Sequence, residues 1–247
     1  MNRFFLRTGA GPGGTLVLDE GDSRHAARVL RLAAGDPVEI LDGAGRILRG
    51  RVADVGRRET RVEILAVRAV PSPPRVGLAP SLIKGKAMDF LVQKATELGV
   101  VRLEPLATER AVVRLKGDEG RARVADWTRT AVEACKQCGN PWLPEILAPV
   151  ETAAFLERRS GDGILLVASL RSDALPVRRA LAGAVAPAVG VTLVLGPEGD
   201  FTPDEEEMLR AAGARPITLG PLVLRAETAA IAGLAVIQNE LASGGAG

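Results

Sequence analysis

The chain has 247 residues, 47% of them apolar, and its 32 basic and 30 acidic side chains leave a net charge of +2. That is enough to bury one large core, or a small and a medium one, without disulfides. Two cysteines and one histidine supply neither a disulfide framework nor a histidine-centred metal site or triad, and apolar runs stop short of the ~20 residues a spanning helix needs.

A soluble protein with no membrane partner and no metal is therefore expected. Arg7 and Gly9 interrupt the first apolar stretch too soon for a secretory signal, so a cytoplasmic protein is expected. Residues 1–75 hold 13 arginines, no lysine and 9 acids. Such an excess suits an anionic partner, and equally a solvated arginine surface.

Over residues 15–67, short apolar or alternating runs such as Thr15–Leu18, Val38–Leu41 and Arg61–Leu65 are punctuated by Asp42-Gly43 and Gly45. They predict a small β-barrel. One helix is expected to interrupt it at Ser23–Leu32, with His25, Val29 and Leu32 on its apolar side. Pro71-Ser72-Pro73-Pro74 lacks the amide donors of a helix or central strand, which gives a first domain at 1–70, a linker at 71–75 and a second domain at 76–247.

Beyond Arg75, strands alternate with longer helices, the pattern of a parallel α/β sheet. A helix is expected over Lys86–Leu98, capped by Gly99, and another over Asp118–Cys138 with Val124, Trp127, Ala131, Ala134 and Cys138 on one stripe. Ile164–Ala168 and Val191–Leu195 read as buried strands. Thr202-Pro203-Asp204-Glu205 offers a capping threonine, a first-turn proline and a capping-box glutamate, and Gly213 ends that helix. The alanine-rich last helix, Glu227–Leu241, is apolar on most sides and is expected in the core or against another subunit.

Three segments could carry chemistry, each where a strand gives way to a helix, the ligand edge of an open α/β sheet. In Leu195-Gly196-Pro197-Glu198-Gly199-Asp200-Phe201, glycines allow close backbone approach, while Glu198 and Asp200 disfavour a polyphosphate and accept a cationic ligand. A plain turn before a capped helix would look the same. Leu219–Ala229 sets Arg225 and Glu227 in apolar company, where charges are paired or functional. Lys86, Asp89, Gln93 and Lys94 share one helical face, which could grip phosphates or simply be solvated. Gly9–Gly14 matches a dinucleotide pattern by letter, but contains Pro12 and precedes a β-type run. Cys135 and Cys138 have redox spacing with no completing ligands and read as packing thiols.

Taken in order, His25–Leu32 with Gly35-Asp36, Lys84-Gly85-Lys86, Gln93–Val100, Glu109-Arg110, Glu133–Gln137, Gly196–Gly199 and Leu219–Ala229 resemble the 16S rRNA (uridine-N3)-methyltransferase family of the SPOUT superfamily. The resemblance implies a PUA-like barrel for RNA, followed by an α/β domain whose end threads a trefoil knot. It also implies S-adenosylmethionine as cofactor, S-adenosylhomocysteine as product, 16S rRNA or the small ribosomal subunit as substrate, and a homodimer. Carried over by motif, Leu195, Gly196, Pro197, Gly199, Leu219, Gly220, Leu224, Thr228 and Ala229 would hold the cofactor. Arg225 and Glu198 would be catalytic, and Arg3, Arg28, Arg31, Lys84, Lys86, Lys94, Arg110 and Gln137 would meet RNA. Departures include Asp200 where the family usually has glycine, Pro221-Leu222 in place of a basic pair, and Ala226 in place of threonine. The alternatives are a SPOUT enzyme acting on another nucleoside or a ribose 2′-oxygen, and a non-catalytic assembly factor.

Overall fold

The computed structural model describes residues 1–115, 118–159, 163–182 and 190–244. The chain forms two units, one of Met1–Ser72 with Val132–Leu143, the other of Pro73–Ala131 with Pro144–Gly247.

In the first unit, β1 (Asn2–Phe5), β2 (Thr15–Leu18), β3 (Pro37–Leu41), β4 (Arg46–Val55) and β5 (Thr60–Ala69) form one sheet in the order β1-β3-β4-β5-β2. Only the β1–β3 pair is parallel. Alternation sends Phe4, Leu18, Val38, Ile40, Leu48, Val62 and Ile64 to a single core, so all five strands wrap one apolar centre. Register shifts in the β4–β5 pair help it curl.

The helical interruption differs from expectation. Helix α1 spans Glu20–His25, capped by Asp19 accepting from the Asp22 amide, and then widens into a π turn over Ala26–Leu30. The extra residue per turn rotates the stripe. Ser23 and Ala26 are buried, whereas His25 and Val29 face solvent and Leu32 is half-buried.

Residues 132–143, expected within the second domain, pack with the first unit. Cys135 joins Leu41 and Ile47 in a small core. Lys136 pairs with Asp22 at 3.1 Å. Gly45, at φ 93°, leaves room for the Trp142 ring, which a Cβ would meet at 2.2 Å. None of these contacts has a local sequence signature.

In the second unit, β6 (Val76–Pro80), β7 (Arg102–Leu103), β8 (Glu145–Ile146), β9 (Ile164–Ala168), β10 (Leu175–Pro176), β11 (Val191–Leu195) and β12 (Arg215–Thr218) make one sheet. Its order is β10-β12-β9-β11-β6-β7-β8, and every pairing is parallel. Both long apolar runs are strands with the expected bounds, because each is buried on two faces. Helix α2 (Gly85–Glu97) ends on Gly99 at φ 75°, with the Val100 amide donating back to Ala95.

Helix α3 (Asp118–Cys138) buries Trp127, Ala131, Ala134 and Cys135, while Cys138, expected on the stripe, is exposed. Burial pushes the Cys135 thiol up to about 12, which keeps it protonated and inert. Helices α4 (Thr152–Glu157) and α5 (Val177–Leu181) had no signal strong enough to read.

Helix α6 (Pro203–Ala211) carries the expected capping box between Thr202 and Glu205. The last helix, α7 (Ala226–Gly244), packs on β6, β11 and α2. It buries Ala230, Leu234 and Ile237 and leaves Val236 exposed, so it is one-sided, not enclosed. Gly233 lets it approach the sheet, since a Cβ there would meet Leu193 Cδ2 at 2.7 Å. Among the described residues, no helix is long and apolar enough to cross a membrane, and no group of three or more His, Cys, Asp or Glu could hold a metal ion.

Candidate functional site

Strand β9 lies between β11 and β12, so the segments leaving all three emerge side by side at the carboxyl edge of the sheet. They enclose a cleft of about 320 Å³. The bend after β11 contributes Leu195, Gly196, Pro197, Glu198 and Asp200, and the bend after β12 contributes Leu219, Gly220, Leu222, Val223, Leu224 and Arg225. Ala226 and Ala229 from α7 complete one wall. Two segments read separately in the sequence are thus one site.

The first bend is rigid for identifiable reasons. The Asp200 amide donates to the Pro197 carbonyl at 2.9 Å, closing a tight turn. Asp200 sits at φ 59°, a conformation that costs most residues and that glycine adopts freely. Its Oδ1 accepts from the Phe201 amide at 2.8 Å, which compensates locally. A Cβ at Gly196 would press on the buried Phe201 ring at 3.2 Å.

Two neighbours staple the bend from behind. Arg110 Nη1 donates to the Gly199 and Phe201 carbonyls at 2.9 and 3.0 Å. The buried Glu205 carboxylate accepts from the Thr202 and Glu109 amides at 3.0 and 3.1 Å and from Thr152 Oγ1 at 3.0 Å. The second bend turns on Gly220 at φ 118°, with its amide donating to Thr218 Oγ1 at 3.2 Å.

Glu198 and Arg225 are both exposed on the rim, and among the described residues neither side chain makes an ion pair or hydrogen bond. The cleft therefore combines apolar walls, free backbone at two glycine bends, one guanidinium and two carboxylates. That donor set suits a largely apolar ligand bearing positive charge, beside a group on which negative charge develops.

Of the residues expected to hold a cofactor, Leu195, Gly196, Pro197, Leu219, Gly220, Leu224 and Ala229 line the cleft. Gly199 and Thr228 do not: Gly199 faces Arg110, and Thr228 is exposed on α7. Ala168, Ser169 and Leu170, at the end of β9, line it too and were missed. The signal is present in the sequence, because Ile164–Ala168 is a strand whose carboxyl end must lie at this edge.

The expected RNA contacts divide between the units. In the first, Arg3 pairs with Glu39 at 3.2 Å and donates to the Gln137 carbonyl, while Arg28 and Arg31 are exposed at the π turn. In the second, Lys84 and Lys86 are exposed at the start of α2. Lys94, by contrast, is taken up by Glu97 at 2.8 Å above the Phe90 ring. Arg110 holds the first bend, a structural duty that no local sequence pattern signals.

Residues 70–238 match the family described as RNA methyltransferase domain, and residues 18–65 match the RNA methyltransferase PUA domain. The chain is 32% identical to the ribosomal RNA small subunit methyltransferase E of Synechocystis, over 93% of this chain and 74% of that one. It is 29% identical to the enzyme of the same name from Mycobacterium tuberculosis, over 95% and 90%. Among solved structures, a ribosomal RNA small subunit methyltransferase E from Neisseria gonorrhoeae bound to S-adenosylmethionine superposes with a TM-score of 0.86 at 30% identity, covering 97% of each chain. A Legionella pneumophila protein in complex with the same cofactor superposes at 0.87, with 30% identity and 96% of each chain covered.

Proposed function

The chain belongs to the RNA methyltransferase family, with that family's PUA domain before the catalytic one, and from this premise we propose that it methylates N3 of a uridine in 16S rRNA, using S-adenosylmethionine. The observation that carries the reading is the meeting of the two glycine bends in one cleft, with Glu198 and Arg225 free at its rim. Two structures of this fold, each 30% identical, were solved with that cofactor.

The residues present fit the cofactor. Apolar walls from Leu195, Leu219 and Leu224 suit an adenine ring, and the carboxylates of Glu198 and Asp200 suit a sulfonium. When bound, S-adenosylmethionine supplies an electrophilic methyl group. The chain's own part is to orient and to polarise. Arg225 stabilises the negative charge that grows on a uracil carbonyl as N3 loses its proton. Glu198 orients the base or accepts that proton. Since N3 lies on the pairing edge, the uridine enters unpaired or turned out of its stack.

Gly199 and Thr228 are assigned to the cofactor through the adjoining backbone, and the 226–244 helix to a trefoil knot around these bends. RNA is assigned to Arg28, Arg31, Lys84 and Lys86, with Arg3, Lys94, Arg110 and Gln137 as supporting contacts. Exposed apolar side chains at Leu170, Leu222 and Val223 border the cleft, 67%, 73% and 80% accessible. A second copy of the chain covering that rim accounts for them. The setting is the cytoplasm, where ribosomal subunits are found.

The test is to incubate the purified chain with labelled cofactor and small ribosomal subunits, then map the modified base. N3-methyluridine in 16S rRNA is expected. Label on a ribose or another nucleoside would move the activity elsewhere in the superfamily. An absence of cofactor binding by calorimetry would leave a non-catalytic RNA-binding factor.

A further inference from the structure

The second unit has another cavity, of about 460 Å³, at the opposite edge of the sheet. Its lining includes Arg75, Gly163 and Gly190, which immediately precede β6, β9 and β11, and it shares no residue with the cleft at the carboxyl ends. Four arginines, Arg75, Arg102, Arg158 and Arg159, and one acid, Glu104, are among its lining residues.

Glu104 is buried and accounts for two of the four. It accepts from Arg102 Nη2 at 3.1 Å and from Arg158 Nη1 at 3.5 Å. Arg102 has a further partner in Glu145 at 3.3 Å. Among the described residues no carboxylate pairs with Arg75 or Arg159. Arg159 is half-buried, with the Phe155 ring 5.9 Å away and the Gly163 carbonyl 3.4 Å from Nη2, and burial pulls its guanidinium below the usual range. A cation withdrawn from water without a counter-charge is costly, and an anion beside it recovers that cost.

The floor is shaped as well as charged. Gly77 lies inside β6, hydrogen-bonded to strands on both sides, where a glycine forfeits packing and usually marks a close approach. A Cβ there would stand 3.2 Å from Thr192 Oγ1, so the glycine keeps the cavity open over a hydroxyl.

We propose that this cavity is a second ligand site that binds a phosphoryl group, with Arg75 and Arg159 as the anion-pairing residues and Arg102 and Arg158 completing the positive wall. Guanidinium forks match phosphoryl oxygens geometrically and keep their charge at any physiological pH. The volume admits a nucleotide-sized group. The same chemistry is offered by a free phosphorylated metabolite and by the backbone of an RNA strand.

The experiment is calorimetric titration of the full chain with pyrophosphate, chosen because it lacks the adenosine that could enter the other cleft. Binding is expected, weakened roughly tenfold by Arg159→Gln and by Arg75→Gln, the loss of one charge-assisted contact each. Arg178→Gln, which removes an exposed charge on α5, is expected to leave it unchanged. Circular dichroism confirms that each variant is folded. A short single-stranded RNA displaced by pyrophosphate would identify a backbone phosphate as the source, and one that is not displaced would identify a free metabolite. No pyrophosphate binding, or binding that is indifferent to Arg75 and Arg159, overturns the proposal.

Discussion

Removing the Glu205 carboxylate should loosen the 196–201 bend from a distance. Its oxygens take the Thr202 amide at 3.0 Å, the Glu109 amide at 3.1 Å and Thr152 Oγ1 at 3.0 Å. In Glu205→Ala the capping box is lost, at about 1 kcal/mol. The Glu109 amide and the buried Thr152 hydroxyl lose their acceptor, at about 1–3 kcal/mol each. A total of roughly 3–7 kcal/mol follows, large for one substitution.

Urea denaturation followed by circular dichroism measures it, with Glu205→Gln as a milder comparison that keeps the shape and one acceptor oxygen. Because α6 starts where the bend at 196–201 ends, affinity for S-adenosylmethionine should fall in parallel. A Glu205→Ala variant within about 1 kcal/mol of the parent, with unchanged cofactor affinity, would refute the idea that this buried charge holds the bend.

Arg225→Ala should lower kcat by about 100- to 1,000-fold, the usual cost of one charge-stabilising donor, with RNA affinity little changed; full turnover in single-turnover assays would remove Arg225 from the chemistry. Glu198→Gln should slow the reaction with cofactor affinity little changed, and an unaltered rate would assign the proton to another group. Gly220→Ala forces a side chain onto φ 118° and should weaken cofactor binding by calorimetry, so parental affinity would count against a fixed second bend. In the first unit, hydrogen bonds from Arg46 and the Ala44 amide outweigh burial and hold the Asp42 carboxyl below its usual 3.8. A depressed pKa stabilises above the unfolded value and is lost as pH falls through the folded one. Asp42→Asn should therefore lower the urea midpoint at pH 7 and much less near pH 3, and an equal loss at both would exclude the ionised form as the stabiliser.

How legible each element was depended on whether its cause was local. Ile164–Ala168 and Val191–Leu195 were readable because a strand buried on both faces is a bare apolar run. The start of α6 was readable because threonine, proline and glutamate cap it within four residues. The α1 stripe was misread because a π turn changes the period inside the window, which spacing cannot register. The packing of 132–143 with the first unit was hidden because Trp142 meets Gly45 across nearly a hundred positions. The two-residue strands β7, β8 and β10 exist only through their neighbours' hydrogen bonds. Asp200 falls between these cases. It stands where the family usually has glycine, and its left-handed backbone makes that departure first a question of conformation.

The site itself was half legible, for a reason that lies in register. Each bend could be recognised by its glycines, but nothing in either says that they meet. Their meeting follows from β9, whose Val167 is level with Val194 of β11 and whose Ala168 is level with Ile217 of β12. The Ser169 amide then donates to the Ile217 carbonyl at 2.9 Å, carrying the ladder one step past the strand. A slip of one residue in either pairing would turn alternate side chains to the other face. It would also leave Gly196 and Gly220 at different heights above the edge. The packing that buries Leu193 and Ile217 is therefore what fixes the cleft, and the core and the site depend on the same strands.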